Sequence, residues 1–91
     1  MQEIPMEKST FTREYQVLCS LLRETREQAG LTQIDLAHRL GETQSFISKC
    51  ERGERRLDVV QLRVFCAAMQ VKLPAFIAEW ERRCSLPKRE R

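Results

Sequence analysis

Gln44, Ser45 and Lys49 lie within one short stretch, TQSFISKCE, and at helical spacing all three project from the same side. A glutamine amide offers a donor and an acceptor together, which matches adenine N6 and N7 in the DNA major groove. The hydroxyl of Ser45 can bond a base or a phosphate. Lys49, one turn on, can reach guanine O6 and N7 as a flexible donor. Ile47 and Cys50 fall on the opposite side, where they would hold such a helix down. Phe46 interrupts the polar run and has two readings: contact with a thymine methyl, or folding over the turn between helices. Gln33, Thr43, Arg52, Arg55 and Arg56 flank the group and suit phosphate, which fixes register without reading sequence. Glu54 sits among these arginines and weakens the patch. An ordinary charged loop is the plainer reading of Arg55 and Arg56, but the loop directly follows the reading helix.

Other chemistry finds little footing. Ser, His and Asp residues occur without a triad-like grouping, and His38 falls on the polar side of its helix, so no catalytic residue and no enzyme is expected. Cys19, Cys50, Cys66 and Cys84 are spaced by 31, 16 and 18 residues with no CxxC pair, which gives no metal site and no disulfide framework. Cys50 and Cys66 sit on apolar faces, where free cysteine packs as a small hydrophobe. Cys84 is the one expected to be exposed. No cofactor is implied.

Two short helices and a tight turn must position the reading residues, and residues 32–53, TQIDLAHRLGETQSFISKCERG, supply them. Thr32 can cap the first, whose Leu36, Ala37 and Leu40 share a face. Gly41 allows the left-handed turn. Thr43 can cap the second helix, over about 44–52. Ala37 lets the two helices cross closely. Upstream, Tyr15, Leu18, Leu22, Thr25 and Ala29 recur at spacings of 3 and 4, predicting a helix over about 12–29 that Gly30 stops. Downstream of the loop at 53–57, Asp58 and Gln61 form a capping-box pattern, with Leu57 able to staple onto Leu62. Leu62, Phe65, Cys66 and Met69 form that helix's buried stripe. Pro74 suits the first turn of a fifth helix, on which Phe76, Ile77, Trp80 and Cys84 share a face.

With Arg26, the Gly30-Leu31-Thr32-Gln33 run, Ala37, Gly41, Gln44-Ser45, Ile47, Glu51 and Gly53 in register, the chain resembles the Cro/C1-type (XRE-like) helix-turn-helix DNA-binding family over Leu18 to Trp80. The resemblance implies an all-α, compact five-helix bundle of the lambda-repressor-like kind. It also implies an ion pair between Arg26 and Glu51, structural rather than recognitional, and a bond between Gln33 and Gln44. At Gln70 the family usually has glycine, which puts the sharpness of that turn in doubt.

The expected organisation is a flexible N-terminal segment over 1–11, the DNA-binding domain over 12–84, and a basic disordered tail over 85–91. Of 91 residues, 42% are hydrophobic and 32% charged, enough for one small helical core. Net charge is only +3, and the excess lies late, in Arg82, Arg83, Lys88, Arg89 and Arg91. No apolar run approaches the roughly 20 residues needed to span a bilayer. The first residues lack a signal-peptide pattern, so no membrane partner and a cytoplasmic location are expected.

The expected partner is a double-stranded DNA operator. One such domain makes few base contacts, so a homodimer spanning two half-sites about 34 Å apart is expected. Phe76, Ile77 and Trp80 are the candidate dimer surface; the alternative is that this stripe closes the chain's own core. The leading functional expectation is a dimeric repressor, with autoregulation implied by the resemblance alone. The second is a protein-binding module, such as an antitoxin that neutralises a partner protein and binds DNA secondarily.

Overall fold

Among the described residues, four of the five helices begin on an oxygen-bearing side chain that satisfies an otherwise orphaned backbone donor. Thr12 accepts from the Tyr15 N–H and opens α1 (Arg13–Gln28), and Thr43 accepts from Phe46 N–H and opens α3 (Gln44–Glu51). Thr32 with Asp35, and Asp58 with Gln61, form reciprocal capping boxes at the starts of α2 (Gln33–Leu40) and α4 (Val59–Ala68). At the fifth, α5 (Leu73–Cys84), Lys72 gives no side-chain cap and proline stands in the first turn instead. The structure, a computed structural model, describes residues 12–87, and it contains no strand among them. The expectation for 1–11, and that for 88–91 of the tail, lie outside the described residues.

The helix ends are equally specific. Gly41 takes φ 67°, and Glu42 N–H then reaches back to Ala37 C=O at 2.9 Å. The same closure recurs after α4 without glycine. Gln70 adopts φ 64°, and Val71 N–H donates to Cys66 C=O at 2.9 Å. The turn is therefore as sharp as a glycine would make it, at a cost of about 1–2 kcal/mol for placing a side chain in the left-handed region.

The principal packing contacts run in a ring, α1–α3–α2–α4–α5 and back to α1. The ring encloses Leu21, Leu22, Leu36, Ala37, Ile47, Cys50, Leu62, Phe65, Cys66, Met69 and Phe76. Because α1 touches two neighbours, its buried arc is wider than a single stripe. Leu22 is buried as expected, but Cys19, Leu21 and Arg26 are buried too, while Ala29 is exposed at the cap. Phe76 is 4% exposed and belongs to the core, so it is withdrawn from the expected dimer surface. Trp80 and Ile77 are half-buried against that core, and Trp80 Nε1–H donates to Glu14 C=O at 2.9 Å. Helix α5 is thus committed largely to closing its own chain.

A second tie joins the two outermost helices. Arg13 donates to the carbonyls of Cys84 and Leu86 at 3.1 and 3.2 Å, placing a cation at the negative end of α5. Ser85 and Leu86, expected within a disordered tail, are instead tied in by these contacts and by Ser85 N–H to Glu81 C=O at 3.1 Å. All four cysteines are free; Cys19, Cys50 and Cys66 are buried and Cys84 is partly exposed. Burial pushes the Cys50 thiol up to about 11, which keeps it protonated at neutral pH. Among the described residues, no single helix is long and apolar enough to cross a membrane.

Candidate nucleic-acid interface

The turn between α2 and α3 sets the angle of the whole site. Ala37 is 3% exposed at the crossing of these helices, and Ile47 and Cys50 are 0% and 1% exposed beneath α3. With that side sealed, Gln44, Ser45 and Lys49 stand exposed on the other, together with Thr43 at the cap.

A hydrogen-bonded relay crosses three helices to hold Gln44. Arg26 in α1 donates through Nε and Nη2 to Glu51 in α3 at 2.6 and 3.1 Å, and through Nη1 to Leu31 C=O at 2.8 Å. The two side chains are 8% and 4% exposed. The bond to Glu51 raises the affinity of the Arg26 guanidinium for its proton, against the opposing effect of burial. Glu51 Oε1 also accepts from Gln33 Nε2 at 3.0 Å, and Gln33 Oε1 accepts from Gln44 Nε2 at 2.6 Å.

The direction of this relay is forced by chemistry. An ionised carboxylate only accepts, so Gln33 must turn its nitrogen to Glu51 and its oxygen to Gln44. Gln44 must answer with its nitrogen. Its second N–H and its carbonyl oxygen then remain to face outward, a donor beside an acceptor. The buried charge of Glu51 thus sets how an exposed amide is presented two residues away along the relay.

The expected phosphate-binding residues are not equivalent. Gln33 is half-buried at the first turn of α2 and joined to the relay, and Thr43 is exposed. Arg52 is bidentate to Glu54 at 2.9 and 3.1 Å and also contacts Ser48 Oγ. That bond holds the Glu54 carboxyl below the usual carboxylate range. Arg55 and Arg56 are exposed, with their guanidinium carbons 5.1 and 5.3 Å from the ring centroids of Phe46 and Tyr15.

Phe46 is turned toward the helix that follows the loop. Its ring is half-buried, tilted 47° to Phe65 at a centroid distance of 6.3 Å, and so packs toward α4 rather than standing with Gln44, Ser45 and Lys49. The bond between Gln33 and Glu51 was missed in the sequence. The residues are 18 positions apart on different helices, and no local pattern signals the contact.

A helix-turn-helix family model matches residues 22–76, more than half of the chain. An XRE-family-like protein from Pseudomonas syringae pv. tomato str. DC3000 is 41% identical, with a TM-score of 0.75 over 88% of this chain and 98% of that one. At 22% identity, the restriction-modification controller protein C.Esp1396I, as a tetramer in complex with its natural 35 base-pair operator, has a TM-score of 0.71 over 78% of this chain and 93% of that one. The clp gene regulator ClgR from C. glutamicum, also 22% identical, has a TM-score of 0.70 over 78% and 91%. These last two likenesses concern the fold alone. None of the curated proteins matches the chain. The chain belongs to the XRE-like helix-turn-helix family of DNA-binding proteins.

Proposed function

We propose that this protein is a sequence-specific transcription regulator, a repressor that occupies operator DNA and excludes polymerase. In this reading the amino-terminal end of α3 enters the major groove. Gln44 reads adenine, Ser45 a base or phosphate, and Lys49 guanine, while Gln33, Thr43, Arg55 and Arg56 meet phosphates. The observation that carries the reading is the relay from Arg26 to Gln44, which presets an exposed donor–acceptor pair at the tip of the reading helix. A preset pair discriminates bases better than a mobile one, because less side-chain freedom is lost on binding. The operator-bound C.Esp1396I and the gene regulator ClgR share the fold and support the class. Arg52 contributes less than its neighbours, since Glu54 already offsets its charge.

A homodimer is part of the proposal, because two half-sites supply the specificity one domain lacks. Its surface shifts from α5 to α4. In VVQLRVFCAA only Gln61 and Arg63 are polar, and a helix apolar all round needs covering on both sides. The core covers Leu62, Phe65 and Cys66, yet Val60 and Val64 remain 69% and 51% exposed beside Leu40 and Phe46. Glu42 also lines this groove.

The test is binding of purified protein to its own upstream DNA and to a scrambled duplex, at about 50 and 200 mM salt. Tight binding to the native duplex that survives the higher salt is expected. Equal, salt-sensitive binding to both would contradict autoregulation and direct attention to a protein partner or a distant operator.

A further inference from the structure

Arg55 and Arg56 are consecutive, yet their side chains go to different rings. Arg55 lies over Phe46 of α3, and Arg56 lies over Tyr15 of α1. The backbone between them is pinned on both sides. Glu54 and Arg55 N–H groups donate to Lys49 C=O at 2.9 and 3.2 Å, and Leu57 N–H donates to Tyr15 Oη at 3.1 Å. The rings are themselves held, Phe46 by Phe65 and the core beneath it, Tyr15 by its half-buried place on α1. Glu54 is the single acidic residue of this loop, and Arg52 engages it. Among the described residues, no carboxylate forms an ion pair with Arg55, and its guanidinium is placed by a ring instead.

We propose that Phe46 is a positioning residue whose ring holds Arg55 as a preset phosphate contact beside the reading face. This rests on the DNA-reading proposal above. A guanidinium is a planar cation that stacks on a ring face while its N–H groups point outward in its own plane. Stacking therefore leaves the fork available for phosphate oxygens and removes beforehand the side-chain freedom that binding would otherwise remove. The ring acts on DNA through the arginine, which explains a half-buried phenylalanine one residue from the reading positions.

The test is a double-mutant cycle read by anisotropy on a labelled random-sequence duplex of about 30 base pairs at about 50 mM salt, because phosphate contacts do not depend on sequence. Phe46→Leu should bind about 2- to 5-fold more weakly, the size expected of an exposed cation–π contact. Phe46→Tyr should bind as the parent does. In an Arg55→Ala background Phe46→Leu should have no further effect, whereas its effect should add to that of Arg56→Ala. Arg55→Lys leaves the core untouched and keeps the charge; it should also weaken binding, and parental affinity would overturn the proposal. Additive effects of Phe46→Leu and Arg55→Ala would overturn it as well. If Arg55→Ala binds like the parent while Gln44→Ala still alters base preference on a selected site, the platform fails and the reading helix stands. If the parent protein binds no duplex, both fail.

Discussion

Gln33 Nε2 donates to Glu51 Oε1 at 3.0 Å, so the half-buried amide that bonds the exposed Gln44 is itself wired directly to a buried carboxylate. Glu51 carries two duties through this contact. It neutralises Arg26, and it fixes the orientation of Gln33 and hence of Gln44. Architecture and recognition meet at this one side chain.

Removing Arg26 should unfold the domain before it alters specificity. The pair with Glu51 is almost wholly buried, and deleting one member leaves a charge without a partner, at a cost of about 3–5 kcal/mol. Arg26→Ala should show that loss in urea denaturation followed by circular dichroism. A variant of parental stability that has lost a single base preference would contradict the structural role assigned to Arg26.

Gln70→Gly should stabilise the protein. The turn after α4 keeps its hydrogen bonds with a left-handed glutamine, and glycine would relieve the steric cost while adding unfolded-state entropy. The net gain expected is roughly 0.5–1 kcal/mol. Equal or lower stability in the same denaturation experiment would show that the Gln70 side chain contributes something that offsets its backbone strain.

Acid should weaken the join between α1 and α5. Arg83 grips Glu24 at 2.9 and 3.0 Å and Glu79 at 2.7 Å, and Arg82 holds Glu79 as well. Bonds to Arg82 and Arg83 keep the Glu79 carboxyl down to about 2, from an ordinary value of 4.5, and the bond to Arg83 lowers that of Glu24. Both folded-state values lie below the unfolded one. Their contribution is therefore complete above about 4.5 and disappears as pH falls toward about 2. Arg83→Ala should lower Tm at pH 6 and flatten its decline between pH 5 and 2. A decline as steep as the parent's would place the acid sensitivity elsewhere.

Val64→Asp should produce monomers. The α4 face offers Val60 and Val64 to solvent, and a charge in its centre would face its own copy across a two-fold axis. Light scattering after size exclusion should give dimer mass for the parent and monomer mass for the variant. Ile77→Asp separating the dimer while Val64→Asp leaves it intact would return the interface to α5.

Much of this architecture was legible in the sequence where the signal is local. Thr32, Thr43 and the Asp58–Gln61 pair cap the helices they precede, since a cap is decided within three residues. Ile47 and Cys50 turn inward as helical spacing requires. The resemblance supplied the Arg26–Glu51 and Gln33–Gln44 partnerships, which no spacing rule provides. Phe76 went astray because an apolar stripe reads the same whether it closes its own core or awaits a partner. The Arg13 contacts with the end of α5 join residues more than 70 positions apart, and only the closed ring of helices brings them together. Phe46 was ambiguous because its packing depends on Phe65, a residue of a later helix.

On the proposed reading, Gln44, held by the relay, reads one base. The direct measurement is the affinity of the parent protein and Gln44→Ala for a selected operator and for its single-base variants, at fixed salt. Gln44→Ala should lose about 1–3 kcal/mol on the selected site and become indifferent at one position only, with preferences elsewhere retained. A uniform loss across all duplexes would make Gln44 another phosphate clamp, and unchanged preference at every position would remove α3 from base reading altogether.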